Sequence, residues 1–198
     1  MKEHQIITIG RELGSGGREI GIRLSEELKI PFYDKEILVE AAKKSGYSKE
    51  ILEHHDEKPT GSFLYTLAMG VSSYGHFYQR PLLLDLYLAQ FDTIRRLAEE
   101  GAGIFIGRCA DYVLNDQKDI LNVFIHADMP DRVERTMNKH GIGKKQAEDM
   151  CVRSDKDRAS YYNYYSDHQW GDGRHYDLCI NTSKISLERA VQVIKDCL

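Results

Sequence analysis

The sequence predicts an α/β fold in which helices flank a parallel sheet. Short apolar runs alternate with helical patterns along the chain, a glycine-rich turn joins the first run to the first helix, and charged residues directly follow later runs. Strands that alternate with helices are typical of βαβ units, in which the connected strands lie parallel. A length of 198 residues suits one such core better than two full domains.

The first strand, turn and helix carry the clearest functional signal. The apolar run at 6–9 predicts a buried strand, and Ile20, Leu24 and Leu28 recur on one face of the helix that follows. The turn between them consists of small residues: Gly14, Ser15, Gly16 and Gly17. Small residues let backbone amides converge on an anion, and a helix N-terminus adds its positive dipole end. We therefore predict a phosphate-binding loop; the alternative is a turn that serves only close packing of the helix on the sheet.

This loop differs from the standard phosphate-binding motif, G-x-x-x-x-G-K-[ST], because it contains no lysine. Arg18 is the nearest cation and could neutralise phosphate, although a planar guanidinium does not reproduce a compact ammonium. Glu19 stands where a hydroxyl residue is expected, so it could contact a metal ion or exclude one. The loop alone therefore predicts an anion site without identifying its metal ligand.

Two further strands end in polar residues. The run at 30–34 ends in Asp34, which could bind a ligand, cap the next helix, or do both. The run at 103–107 ends in Gly107 and is followed by Arg108. Because ligands of open parallel sheets lie beyond the carboxyl ends of the strands, Arg108 is expected to face the same crevice as the glycine loop. Runs at 121–127 and 176–181 predict two more strands.

The remaining segments are predicted to be mostly helical. An apolar stripe indicates a buried helix face formed by Leu84, Leu88, Phe91, Ile94 and Leu97. The stretch at 46–80 has no clear core face and is predicted to be a mobile cap. The polar stretch at 144–158 predicts an exposed helix whose arginines could be solvated ion-pairing residues. The tyrosines at 161–165 are expected to pack rather than to stack on a base.

Composition excludes several classes of function. A net charge of −4 argues against a protein whose main role is to bind duplex nucleic acid. No apolar run approaches a membrane span, and the N-terminus lacks a signal-peptide core, so we expect a cytoplasmic protein that binds no nucleic-acid polymer and no membrane. The cysteines lack metal-site spacing and are expected to be free thiols: Cys109, Cys151, Cys179 and Cys197.

In their order along nearly the whole chain, these motifs resemble the cytidylate kinase-like family of P-loop nucleoside monophosphate kinases, as a divergent branch. The resemblance implies a P-loop NTPase-type three-layer fold and a single domain over 1–198. Within it, 46–80 would be a cap on the acceptor side and 140–168 a mobile lid region. The positions that hold the donor nucleotide would be Gly14, Ser15, Gly16, Gly17, Arg18 and Glu19.

The resemblance also implies the remaining site residues and the reaction. Asp34, Gly107 and Arg108 match positions that bind the acceptor nucleotide. Arg153 and Asp157 match a lid helix with an R-D-x-x-D-x-x-R pattern, in which Ser154 and Ser160 replace the other two residues and Arg158 follows Asp157. The implied substrates are Mg²⁺-bound ATP and a nucleoside monophosphate such as CMP. The implied catalytic residues are Arg18, Arg153 and Arg158, and no residue is identified as the metal ligand.

Two alternatives to this activity remain open. The chain could be a nucleotide-binding sensor or docking protein that has lost catalysis, because the loop lysine is missing. It could also be a kinase that phosphorylates a different small molecule.

Overall fold

Five parallel strands form one sheet in a computed structural model, which describes residues 5–34, 79–117 and 119–198. β1 lies at the centre and pairs with β3 on one side and with β4 on the other. β2 and β5 form the two edges, so the order is β2-β3-β1-β4-β5. The strands are β1 (Ile6–Arg11), β2 (Phe32–Tyr33), β3 (Gly103–Ile106), β4 (Ile120–His126) and β5 (Leu178–Asn181).

Helices connect these strands and cover both faces of the sheet. Their bounds are α1 (Gly17–Leu28), α2 (Gln79–Glu99), α3 (Ala110–Val113), α4 (Met129–His140), α5 (Lys144–Tyr165) and α6 (Leu187–Asp196). Within α2 the side chains are described from Tyr87 onward. A single 3₁₀ turn, Gly173–His175, precedes β5. Parallel neighbours need such crossover connections because a tight hairpin would reverse the strand direction.

The core has two parts, one on each face of the sheet. Successive strand residues point to opposite faces. Ile7 and Ile9 of β1 are fully buried in a cluster that includes Ile20 of α1 and Ile194 of α6. The opposite face carries a second cluster that joins Ile6 to residues of α2 and α3. The predicted α/β class, with helices on both sides of a parallel sheet, is confirmed.

The predicted apolar stripe of α2 is wrong at one position. Ile94 is fully buried and Leu97 is 7% exposed, but Leu88 is 47% exposed. Residues three apart on a helix lie about 60° apart around its axis. Leu88 and Ile94 are separated by two such steps, so Leu88 lies about 120° from Ile94 and outside the buried face. The side chain of Leu84 lies outside the described residues, as does the predicted cap, except that 79–80 begin α2.

Ser186 caps the closing helix, α6, because its hydroxyl accepts a hydrogen bond from the Arg189 amide at 3.2 Å. Asp128 occupies the N-cap position of α4, but its carboxylate binds Asn181 and Lys184 instead of a helix amide. No helix within the described ranges is both long and apolar enough to cross a membrane.

Candidate functional site

The glycine loop at 12–16 makes two sharp turns before α1 begins. Gly14 has φ +77° and Gly16 has φ +84°, in the left-handed region that favours glycine. A Cβ atom on Gly14 would lie 2.5 Å from the Arg132 carbonyl oxygen, so no larger residue fits there. Gly16 is the N-cap of α1 and Gly17 is its first residue. The loop thus leads straight into a helix N-terminus, as an anion-binding loop requires.

A buried arginine of α4 holds one side of this loop. Arg132 is 4% exposed, and its Nε donates a hydrogen bond to the Leu13 carbonyl at 2.8 Å. It also forms ion pairs with Glu12, at 3.2 Å, and with Asp155 of α5. The Asp155 carboxylate in turn accepts a hydrogen bond from the Leu13 amide at 2.9 Å. Sequence reasoning missed both Arg132 and Asp155; only the spacing of Asp155 and Arg158, three residues apart on one helix face, could have indicated such a network.

A second group of side chains holds the other side of the loop. The Arg135 guanidinium donates to the Gly14 carbonyl at 3.2 Å and to the Thr182 hydroxyl at 2.9 Å. That hydroxyl donates to the Ser15 carbonyl at 2.7 Å. In a trans peptide unit the carbonyl and the next amide point in opposite directions. The amide of Gly16 therefore points away from Thr182.

Three arginines line a cavity at the carboxyl ends of the central strands: Arg11, Arg108 and Arg158. Arg11 ends β1, Arg108 follows β3, and Arg158 lies on α5, where its Nη1 donates to the Arg11 carbonyl at 3.1 Å. The cavity therefore combines cations from three distant segments of the chain. Its position agrees with the crevice that the sequence predicts for Arg108.

Arg108 is held in a buried and conformationally unusual position. It is 4% exposed, and Gly107, Arg108 and Cys109 all have positive φ values, of 72°, 61° and 56°. A non-glycine residue in this region costs free energy and is most often found at functional sites. The pKa of Arg108 is lowered to about 10, mainly by burial. The charges of Arg11 and Arg158 also lower it, and Tyr161 and Asp34 oppose the shift. The guanidinium remains charged at neutral pH.

The structure pairs two residues to which the sequence assigns separate roles. Asp34 is 8% exposed and accepts a hydrogen bond from Arg18 Nε at 2.9 Å. The Arg18 guanidinium also lies 5.7 Å from the centre of the Phe32 ring. Arg18 thus reaches toward the end of β2 and the predicted acceptor side. Its neighbour Glu19 binds Arg23, one turn further along α1.

The two predicted lid arginines are not brought together. Arg158 lines the cavity, whereas Arg153 is exposed on α5. Five helical residues separate them, which is a rotation of about 140° around the helix axis. Asp157 is half-buried beside Arg158, but the α5 carboxylate that contacts the loop is Asp155. Because both arginines lie on the same helix, rotation of α5 as a rigid body would not bring them to one side.

Aromatic packing closes the far side of the cavity. Tyr162 is 4% exposed, and its hydroxyl donates to Asp111 at 2.6 Å. Burial raises the pKa of Asp111, although this hydrogen bond opposes the shift. Tyr165 stacks on Tyr87 with ring centroids 3.9 Å apart. These tyrosines pack as predicted, whereas Tyr164 is 46% exposed.

The described residues do not offer a ready magnesium site. Among them, no group of three or more histidine, cysteine or carboxylate side chains could hold a metal ion. The nearest oxygen ligands already have partners: Ser15 Oγ donates to the Glu12 carbonyl, Glu19 pairs with Arg23, and Asp111 binds Tyr162. Magnesium prefers phosphate oxygens and water, so the protein contribution expected here is small. The four cysteines are free thiols.

The fold and the site together define a class of protein. A parallel sheet in the order β2-β3-β1-β4-β5, a glycine loop between β1 and α1, and arginines at the strand ends form a P-loop, kinase-like architecture. The sequence model of the cytidylate kinase-like family matches residues 6–184. The chain belongs to that family.

Solved structures resemble this chain over most of its length. An uncharacterized protein from Eubacterium ventriosum is 31% identical, covers 97% of this chain and 96% of its own, and superposes with a TM-score of 0.75. Shikimate kinase from Bacteroides thetaiotaomicron is 14% identical over 98% of this chain and 97% of its own, with a TM-score of 0.55, and shares the fold. A comparison of sequences alone finds a shorter match: a uronate isomerase of Corynebacterium glutamicum is 31% identical over 99 residues, which are 49% of this chain but only 19% of that protein.

Proposed function

We propose that this protein is a kinase that transfers the γ-phosphoryl group of ATP to a nucleoside monophosphate such as CMP. The observation that carries the proposal is the meeting of Arg11, Arg108 and Arg158 in one cavity at the end of β1, the strand that leads into the glycine loop. Phosphoryl transfer needs two substrates in line and positive charge around the group that moves, and it needs little covalent chemistry from the protein. Three cations from separate segments suit that requirement.

Each group has a defined part in this proposal. Backbone amides of Gly14 to Gly17 bind the donor phosphates, Arg108 binds the acceptor phosphate, and Asp34 with Arg18 orients the rest of the acceptor. Arg158 neutralises charge in the transition state and, with α5 held on the loop, helps to exclude water. Bound Mg²⁺ would supply further neutralisation of the donor phosphates. In this proposal 1–198 is one domain, 46–80 is the acceptor-side cap, and 140–168 is the lid.

A second candidate is a nucleotide sensor without transferase activity. The observation that favours it is the start of α1: Gly16 is the N-cap, so Gly17, and not Arg18 as the sequence alone implied, follows the capping glycine at the place of the motif's lysine. Lysine at this position normally reaches the β- and γ-phosphates. A binding protein has less need than an enzyme for that charge.

One experiment separates the two candidates. The protein is incubated with ATP, Mg²⁺ and a panel of nucleoside monophosphates and other small acceptors, and diphosphates or other phosphorylated products are measured. Formation of CDP from CMP supports the kinase proposal in its specific form. If product forms only from another acceptor, the protein is a kinase and that molecule, not CMP, is its substrate. Tight ATP binding with no product from any acceptor rejects the kinase and supports the sensor.

The pairing of Arg18 with Asp34 leads to a prediction about substrate selectivity. We expect Arg18→Ala to raise the KM for the acceptor roughly tenfold and to change the Kd for ATP less than threefold, because hydrogen bonds to charged groups contribute about 1.5–3 kcal/mol and half-exposure weakens this one. Steady-state kinetics and calorimetry with ATP measure the two quantities.

Arg23→Ala is the matched control for this change. Arg23 lies on the same helix but pairs with Glu19 and Glu188. We expect it to leave both constants unchanged. A rise in the ATP Kd for Arg18→Ala, with an unchanged acceptor KM, would show that Arg18 binds the donor phosphates instead.

A further inference from the structure

The side chain of Arg11 occupies the space that a side chain at position 17, the place of the missing lysine, would need. Gly17 is buried at the start of α1. A Cβ atom on Gly17 would lie 2.7 Å from Arg11 Cβ, 3.3 Å from Arg11 Cγ and 3.3 Å from Ile125 Cβ. Non-bonded carbon atoms repel each other at such distances, since their best separation is about 3.5–4.0 Å. Arg11 and a lysine at position 17 therefore exclude each other.

We propose that Arg11 replaces the loop lysine and supplies the positive charge that binds the donor's β- and γ-phosphates. This inference rests on the proposed function, because it assigns the cation for the same site. The charge would come from the end of β1 instead of the first turn of α1. Gly17 is then the residue that makes room for it.

The surroundings of Arg11 support this assignment. Arg11 lines the cavity together with Arg108 and Arg158. Its backbone carbonyl accepts the hydrogen bond from Arg158, which fixes the strand end. Its charge also contributes to the lowered pKa of Arg108, so the two guanidinium groups lie within electrostatic reach of each other. A planar guanidinium can bind two phosphate oxygens at once, which suits an oligophosphate.

The other arginines around the loop already have structural tasks. Arg132 and Arg135 bind the carbonyls of Leu13 and Gly14. Arg18 binds Asp34. These contacts hold the loop and the acceptor side, whereas the Arg11 side chain lies beside Gly17 and lines the cavity.

The test moves the charge back to the standard position. Binding of inorganic pyrophosphate and of ATP is measured by calorimetry for the wild type, Arg11→Met, Arg11→Gly, and the double variant Arg11→Gly with Gly17→Lys. Methionine keeps the aliphatic stem beside Gly17 and removes only the charge. Glycine at position 11 removes the Cβ and Cγ atoms that a lysine at position 17 would meet.

We expect Arg11→Met and Arg11→Gly to weaken binding of both probes at least tenfold. The double variant should bind at least fivefold more tightly than Arg11→Gly, because its new ammonium occupies the standard position. Arg174→Met is the control for loss of one positive charge, since the Arg174 side chain is 83% exposed and pairs with Asp172. Circular dichroism and thermal melts check that each variant folds.

The outcomes separate this inference from the kinase proposal. Unchanged binding by Arg11→Met, failure of the double variant to recover any affinity, or a wild type that binds neither probe would overturn the inference. If Arg11→Met forms product at the wild-type rate, the inference fails and the kinase stands. If pyrophosphate binding depends on Arg11 but no acceptor is phosphorylated, the kinase fails and the inference stands.

Discussion

Replacing Arg108 with methionine is expected to lower kcat/KM for phosphoryl transfer about 10²-fold, since charge-assisted hydrogen bonds to a phosphate contribute about 1.5–3 kcal/mol. The same change should leave the free energy of unfolding equal or raise it. Arg108 is 4% exposed, and burial of its charge already lowers its pKa to about 10, so the charged group is costly to fold. A pKa lowered by burial means that the charged form is less favourable in the folded protein than in the unfolded chain, so an apolar side chain of similar size removes that cost.

Two measurements decide this prediction: steady-state kinetics with the acceptor that forms product in the panel assay, and unfolding in urea. Loss of activity in a protein as stable as the wild type assigns Arg108 to substrate binding. Arg108→Lys keeps a charge without the planar fork, and we expect it to recover only a small part of the activity. Activity of Arg108→Met within tenfold of the wild type would contradict the role given to Arg108.

The second large effect concerns the stability of the loop. We expect Arg132→Met to lower the free energy of unfolding by about 3–5 kcal/mol, because removal of one partner from a buried ionic network leaves the other charges uncompensated. Here the groups left behind are the carboxylates of Glu12 and Asp155 and the carbonyl of Leu13. For a chain of this size the melting temperature should fall by roughly 10 °C.

A double-mutant cycle tests whether Asp155 is the main partner. Arg132→Met combined with Asp155→Asn should be less destabilising than the sum of the two single changes by about 1 kcal/mol or more. Arg95→Met is the control, because Arg95 pairs with Asp116 on the surface, where such pairs contribute little. A loss below 1 kcal/mol for Arg132→Met would mean that the network does not hold the loop.

The helix that carries Asp155 also carries a residue of the candidate site. Asp155 and Arg158 lie on the same helix; one contacts the Leu13 amide and the other the Arg11 carbonyl. Through these two contacts α5 sits directly on the residues that flank the anion site. Movement of α5 away from the loop would therefore break both contacts.

The elements of the fold that depend on local pattern could be predicted from the sequence. Apolar runs located the strands, and the turn of small residues located the start of α1. The stripe in α2 was misplaced at Leu88, because a spacing of three residues resembles a buried face over one turn and leaves it over two. Strand bounds were also approximate: the run at 30–34 yields only Phe32–Tyr33.

The sequence by itself determined the alternation of strands and helices, the glycine loop and the presence of Arg108 at a strand end. These follow from side-chain periodicity and from backbone freedom at glycine, which act over a few residues. Tertiary structure alone decided that Arg18 binds Asp34, that the Arg11 side chain packs against Gly17, and that Asp155 contacts Leu13, 142 residues away. Contacts between distant segments depend on how the sheet brings strand ends and helices together, and no local pattern encodes that arrangement.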